Sequence, residues 1–321
     1  MENSVCIAPP PTSRVAFVTG ANGISDHALI EHSIRNPKQE WSQIIITSRR
    51  PPKACWYDLR DPHEEIMRRM KNDPAKLPET NCPLFYKFLE AVDAARPRLQ
   101  RLSLQTGGKH YGIQFQGFDF PCHEDTSRYR GPGDETLFYY KQEDDLFAVQ
   151  QRNKRWHYNI IRPFGIVGFT SQFSGMNEAL CIAQYFIICR ELGQPPKWPG
   201  NYNGWYQVKG IRAPSVADMH VWAATNERAR DQAFNHGNGD AAVWRFLWTL
   251  FRRYFVLPSG RRTREWWEQI TQKYGGNGEA FQARRFGWYR IYDSHEAWVS
   301  TFCSYENAGI LPRPQGYQGS G

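Results

Sequence analysis

The apolar residues of this chain fall into short continuous runs that alternate with stretches of helical spacing. "RVAFVTG" (14–20) has the pattern of a strand buried on both faces and runs straight into glycine. "ISDHALIEHSIRNP" (24–37) then repeats its apolar positions at helical intervals until Pro37 stops it. "QIIITSRR" (43–50), closed by Pro51 and Pro52, predicts a second strand. "DPHEEIMRRMKN" (61–72) opens with an Asp N-cap and a proline at the first helical position, and "PLFYKFLEAVDAARP" (83–97) is a further amphipathic helix. "LQRLSLQTG" (99–107) predicts a strand, "ETLFYYKQEDDLFAVQQ" (135–151) a helix and "HYNIIRPFGIVG" (157–168) another strand. "AFNHGNGD" (233–240) predicts one more strand returning to the sheet.

Alternation of this kind predicts an α/β fold: a Rossmann-type, doubly wound parallel sheet with right-handed crossovers. Between Thr47 and Leu99 there are two helices and no strand, although a βαβ unit occupies about 30 residues and the standard fold places two more strands there. The sheet is therefore expected to lack central strands. The remaining sequence is mostly helical and rich in Trp and Tyr, which predicts a cap. The expected organisation is a disordered lead (1–13), a Rossmann-like NAD(P)-binding domain (14–172 with 207–240), a helical substrate cap (173–206 with 241–312) and a disordered tail (313–321).

Composition narrows the function. An apolar share of 40% and an aromatic share of 15% support a real core. The net charge of +8 favours an anionic partner, such as a phosphorylated cofactor, a nucleic acid or a membrane surface. The densest basic runs are pairs (Arg49-Arg50, Arg252-Arg253, Arg261-Arg262, Arg284-Arg285) and not a stripe, which argues against nucleic acid. No apolar run approaches the ~18 residues of a membrane span. The seven cysteines are widely spaced without a C-x-x-C pair, and no metal-ligand spacing is visible. The expectation is an intracellular, cytoplasmic protein with reduced thiols and no metal.

The first glycine turn, "VTGANGIS" (18–25), is a candidate phosphate cradle. Thr19, Gly20, Asn22, Gly23 and Ile24 stand where strand passes into helix, in a G-x-x-G-x-x-G variant of the dinucleotide fingerprint. The third glycine position holds Asp26, which adds a negative charge near a pyrophosphate. Ser48, Arg49 and Arg50 close the second strand, and an arginine there accommodates a 2′-phosphate, so the cofactor expected is NADP(H).

"LQTGGKHYGIQF" (104–115) presents Lys109, His110 and Tyr111 after two glycines. Short-chain dehydrogenases usually carry a tyrosine and a lysine four apart on one helix. Here the residue four beyond Tyr139 is Glu143, a carboxylate that would disfavour a tyrosinate. Lys109 is the candidate source of the missing positive charge, because strand tips and the following helix meet at the carboxyl edge of such a sheet. Tyr140 is expected to pack, and His110 to act as a structural hydrogen bonder.

At "LQTGGKHYG", "LFYYKQEDDL", "NIIRPFGIVGF" and "AFNHGNGDAAVWRFLW" the chain resembles the progesterone 5β-reductase/iridoid synthase-like (PRISE) short-chain dehydrogenase/reductase family. The fungal branch, whose members often sit in secondary-metabolite pathways, looks nearest in pattern. The resemblance implies an oxidoreductase that transfers hydride from NADPH to the β-carbon of a conjugated carbonyl, that is, 1,4-reduction of an enone. It implies Tyr139 and Lys109 as catalytic residues, and Phe115 as a pocket residue. Pro163 and Ile166 would lie in the segment passing the nicotinamide. Phe173 and Met176, in "FSGMNEA" (173–179), would begin a pocket-lining helix. The implied partner is a small hydrophobic carbonyl substrate, and a homodimer is compatible with the family. Where the family has its third and fourth strands, the stretch from Cys55 to Lys76 is short, and a segment near Gln282 is also missing. These departures keep an alternative open: a relative that lost hydride chemistry and works as a cofactor-independent isomerase or cyclase, or as a hydrophobic-metabolite binding protein.

Overall fold

Seven short strands, every pairing among them parallel, organise the described part of the chain. The computed structural model describes residues 14–19, 23–35, 41, 43–47, 77–115, 123–170, 177–200, 205, 211–240, 242–255 and 290–312. Strand β1 (Val15–Thr19) pairs with β2 (Gln43–Thr47), Val15 opposite Gln43 and Thr19 opposite Thr47. Strands β3 (Arg101–Gln105), β4 (His157–Pro163) and β7 (Gln232–His236) form a second sheet with β4 in the middle. A third pair joins the two-residue strands β5 (Ile166–Val167) and β6 (Ile211–Arg212). The helices are α1 (Ile24–Arg35), α2 (Leu77–Ala95), α3 (Phe138–Asn153), α4 (Glu178–Glu191), α5 (Ala213–Thr225), α6 (Trp244–Phe255) and α7 (Ser294–Asn307). None of them is long and apolar enough to cross a membrane.

Helices cover both faces of the three-stranded sheet. On one side Leu89 of α2 and Leu146 and Val149 of α3 pack on Leu102, Leu104 and Ile160. On the other, Met219 and Ala223 of α5 pack on Ile161 and Phe234, and Ala28 of α1 meets Ala217 of α5. This is the doubly wound arrangement that the alternation of elements implies. The polar positions of β3 also find partners on the α5 side. Arg101 donates to the Asn159 side chain (3.0 Å) and to the Ala223 carbonyl (3.2 Å), and Ser103 lies 2.7 Å from Nδ1 of His220. A separate aromatic core, including Phe186, Trp244, Trp248, Phe251, Trp298, Phe302 and Tyr305, is shared by α4, α6 and α7.

Among the described residues no ladder joins β1 to β3. Strand β1, a sequence patterned for burial on both faces, is covered unevenly. Val18 is buried, but Val15 and Phe17 on the opposite face remain 51% and 46% exposed, and Phe17 is covered in part by a stack on Phe88 of α2 (6.2 Å).

Several boundaries differ from the sequence reading. The helix expected from Pro83 begins at Leu77 and carries Pro83 inside it, where the ring removes one helical hydrogen bond without ending the helix. The strand expected over 157–168 splits into β4 and β5, because Pro163 lacks a donor and the chain bends through Phe164 and Gly165. The helix expected at 135–151 runs from 138 to 153, after a 3-10 turn at Asp134–Thr136. The returning strand ends at His236, short of the expected limit at Asp240. The helix expected at 61–72 lies outside the described residues.

Candidate active site at the carboxyl edge of the sheet

Strand β3 stops at Gln105, and the Thr106 amide extends its ladder by donating to the Ile161 carbonyl (2.9 Å). Gly107 is extended, and Gly108–Tyr111 then form a 3-10 turn that Gly112 ends at φ +71°. Lys109 therefore rides on a turn beyond the strand, not on the strand tip itself, and its side chain is exposed.

The two glycines have a steric cause. A β-carbon on Gly107 would stand 3.1 Å from the Pro163 carbonyl oxygen and 3.6 Å from the Tyr139 hydroxyl. One on Gly108 would stand 2.5 Å from the Phe164 ring. Their absence lets Tyr139, in the first turn of α3, and Phe164, after β4, both close over the turn that carries Lys109. The structure thus brings Tyr139, Pro163 and the Lys109 turn together. Burial pushes the Tyr139 phenol above its ordinary value. That direction favours the neutral phenol over the tyrosinate that a nearby positive charge would stabilise.

Glu143 does not oppose Tyr139 in the way its spacing suggests. It is 1% exposed, and it is surrounded by cations. Its Oε1 lies 3.2 Å from Arg162 Nη2 and 3.3 Å from His110 Nδ1, and its Oε2 lies 3.2 Å from Arg128 Nη2. Burial alone raises its carboxyl, yet His110, Arg162 and Arg128 together hold it below its ordinary value. Burial in turn depresses the His110 imidazole. Around this centre the Tyr140 hydroxyl donates to the His110 carbonyl (2.6 Å), and the Tyr111 hydroxyl donates to Asn235 Oδ1 (2.7 Å). The Asn235 amide donates to Glu124 Oε1 (2.8 Å). Tyr140 packs on Tyr129 and Leu137 as expected and in addition bonds the His110 carbonyl, whereas His110 Nδ1 approaches Glu143 without a well-aligned hydrogen bond. Arg128, Arg162 and Asn235 were not singled out in the sequence, although an arginine inside the apolar run "NIIRPFGIVGF" was a signal that a buried carboxylate had to exist.

Phe115 stacks on Tyr129 (5.3 Å), with Gly133 beneath the ring, and stays exposed. Tyr305 of α7 gathers both flanks of 171–176: the Thr170 amide and the Asn177 side chain donate to its hydroxyl. Phe173 and Met176 lie outside the described residues, as do Gly20, Asn22, Ser48, Arg49 and Arg50.

At the first turn of α1 the His27 amide closes the helix onto the Gly23 carbonyl (2.9 Å), which leaves the preceding amides of that turn free of helical partners. Thr19 is exposed at the end of β1, while Ile24 is buried against Ala28 and Ala217 with Ile166 beside it. Gln105 Nε2 donates to Ser25 Oγ (3.1 Å) and ties this turn to β3. Asp26 is half-buried, and burial pushes its carboxyl up to about 7. A group that takes up a proton near neutrality does not exclude a phosphate from the turn, so the residues present fit a dinucleotide with its pyrophosphate at α1.

Residues 62–274 match the model of the PRISE-like Rossmann-fold domain. The short chain dehydrogenase gsfE of Penicillium aethiopicum is 31% identical over 378 aligned positions, covering 94% of this chain and 100% of that protein. That alignment is longer than the 321 residues of the chain, so the relative carries internal segments without a counterpart here. The 3-oxo-Delta(4,5)-steroid 5-beta-reductase of Arabidopsis thaliana is 33% identical over 185 residues, covering 56% of this chain and 46% of that protein, so the chain spans about half the length of this plant relative. Among solved structures, RMD from Pseudomonas aeruginosa complexed with NADPH superposes with a TM-score of 0.64 at 15% identity, covering 93% of this chain and 99% of that chain. That likeness shows the fold.

Proposed function

The chain belongs to the PRISE-like Rossmann-fold family, and on that premise we propose that it is an oxidoreductase that uses NADPH to reduce the carbon–carbon double bond of a small hydrophobic α,β-unsaturated carbonyl compound. The observation that carries the reading is the Tyr139 hydroxyl, held neutral over Gly107 beside the Pro163 carbonyl, with the Lys109 turn directly below it. A steroid reductase among the relatives supports the choice of substrate class, and an NADPH-bound structural neighbour supports the choice of cofactor.

In this reading the Tyr139 hydroxyl hydrogen-bonds the substrate carbonyl oxygen and shares its proton as negative charge develops there. The Lys109 ammonium adds positive charge to the same region and stabilises the developing oxyanion. Thr19, Gly20, Asn22, Gly23 and Ile24 would hold the pyrophosphate, Ser48, Arg49 and Arg50 the 2′-phosphate, and Pro163 and Ile166 the nicotinamide end. NADPH supplies the hydride when bound. Phe115, Phe173 and Met176 would line the slot for the apolar part of the substrate.

The test is turnover of a conjugated enone followed by loss of NADPH absorbance. Tyr139→Phe is expected to lower kcat by about a hundredfold, within the range of general acid–base contributions, with little change in NADPH affinity. Equal turnover in both proteins would remove Tyr139 from the chemistry. The internal segments of the Penicillium aethiopicum relative that have no counterpart here favour one rival, a cofactor-independent isomerase or binding protein. It predicts product or bound ligand with no change in NADPH.

A further inference from the structure

We propose that Glu143 is a positioning residue: it occupies the helical place from which short-chain dehydrogenases usually present their lysine, and from there it anchors the turn that carries Lys109. The inference rests on the assignment of Tyr139 and Lys109 above and adds to it a residue that does not touch substrate.

The argument is geometric. Tyr139 and Glu143 are four apart on α3 and so share one face of it. A carboxylate on that face is tolerated only with cations around it, and Arg128 and Arg162 both reach it at 3.2 Å. The other group at Glu143 is His110, the residue next to Lys109, at 3.3 Å. The following residue, Tyr111, lies 3.4 Å from Arg162 Nη1 through its hydroxyl, which also bonds Asn235. Tyr140 on α3 adds a hydrogen bond to the His110 carbonyl. Both residues that follow Lys109 are thus held, His110 by Tyr140 and Glu143 of α3, and Tyr111 by Asn235 of β7 and by Arg162, which Glu143 neutralises. Lys109 itself has no hydrogen-bond or ion-pair partner among the described residues, so its placement is inherited from the turn. Moving the lysine off the helix leaves its reach to Tyr139 dependent on a loop. The Glu143 centre makes that loop part of the helix packing.

A double-mutant cycle separates positioning from general support. Glu143→Gln keeps the size of the side chain, and Tyr140→Phe is a second variant that keeps the ring while it removes the bond to the His110 carbonyl. Each is measured alone and combined with Lys109→Met, by kcat for enone reduction. If Glu143 acts through Lys109, each variant lowers kcat about tenfold in the wild-type background and less than about twofold beside Lys109→Met. Equal losses in both backgrounds overturn the proposal and leave Glu143 a purely structural group.

Amide hydrogen exchange supplies a readout free of activity. Both variants should speed exchange at His110 and Gly112, whose amides close the turn, by about tenfold or more, and leave the α6 amides unchanged. Unchanged exchange at the turn overturns the proposal even where Lys109→Met is inactive, a result that leaves the assignment of Lys109 standing. Full activity of Lys109→Met defeats that assignment and this inference together.

Discussion

Replacing Asp26 by asparagine tests the electrostatics of the first turn of α1, the proposed cofactor turn, without changing its shape. In the folded chain burial pushes the Asp26 carboxyl from 3.8 to about 7, opposed only by a bond to its own backbone. The folded state therefore binds one more proton than the unfolded chain between those values, and stability falls as pH rises from about 4 through about 7. Three pH units at about 1.4 kcal/mol each set a ceiling near 4 kcal/mol. The carboxyl keeps part of its surface in water, and solvent screening reduces the expectation to about 2 kcal/mol. The amide of the Asp26→Asn variant does not titrate. The variant should come closest to the wild type near pH 3.5 and gain about 2 kcal/mol on it by pH 8 in urea unfolding. The other raised carboxyls, Glu124 and Asp240, titrate in both proteins and cancel in the difference. NADPH titrations extend the test, since the advantage of Asp26→Asn in affinity should also grow from pH 6 to pH 8. A stability difference that is the same at both ends of the pH range would refute the reasoning, because it would mean that Asp26 is solvated and ordinary.

Two further outcomes follow from packing. Gly112→Ala places a β-carbon 2.4 Å from the Tyr129 ring at φ +71°, and thermal unfolding should show a loss of about 1–3 kcal/mol together with reduced turnover. Phe17→Thr sits on the exposed face of β1, so it should change stability by less than about 1 kcal/mol and raise the concentration at which the protein stays monodisperse in light scattering.

The elements best read from the sequence are those whose signal is local. Continuous apolar runs identified β1, β2 and β4, while most of the stretch between Thr47 and Leu99 where no strand was expected lies outside the described residues. Tyr139 and the Lys109 turn were legible as a pair because two distinct motifs carried them. The role of Glu143 was not legible. Spacing showed that it shares a face with Tyr139, but Arg128 and Arg162 arrive from outside α3, and only the fold says that they neutralise it. The polar alternation of β3 was opaque for the same reason. Ser103 and Gln105 find His220 and Ser25 across the molecule, 117 and 80 residues away in sequence.

Among the described residues, the proposed machinery is divided unevenly between two sheets. Tyr139, Lys109, Pro163 and the Glu143 centre all belong to the three-stranded sheet and the helix beside it, where hydrogen bonds run unbroken from β3 through β4 to β7. The first turn of α1 belongs to the β1–β2 pair. Its attachments to the rest include the packing of Ala28 on Ala217, the Phe17–Phe88 stack and the bond from Gln105 to Ser25. A ladder fixes the distance between strands by backbone hydrogen bonds, whereas these contacts between the two sheets are made by side chains, which yield more readily. The half proposed to donate the proton can therefore keep its geometry while the half proposed to hold the cofactor shifts. For that reason cofactor affinity, and not the placement of Tyr139, is the property on which the reductase reading is most exposed.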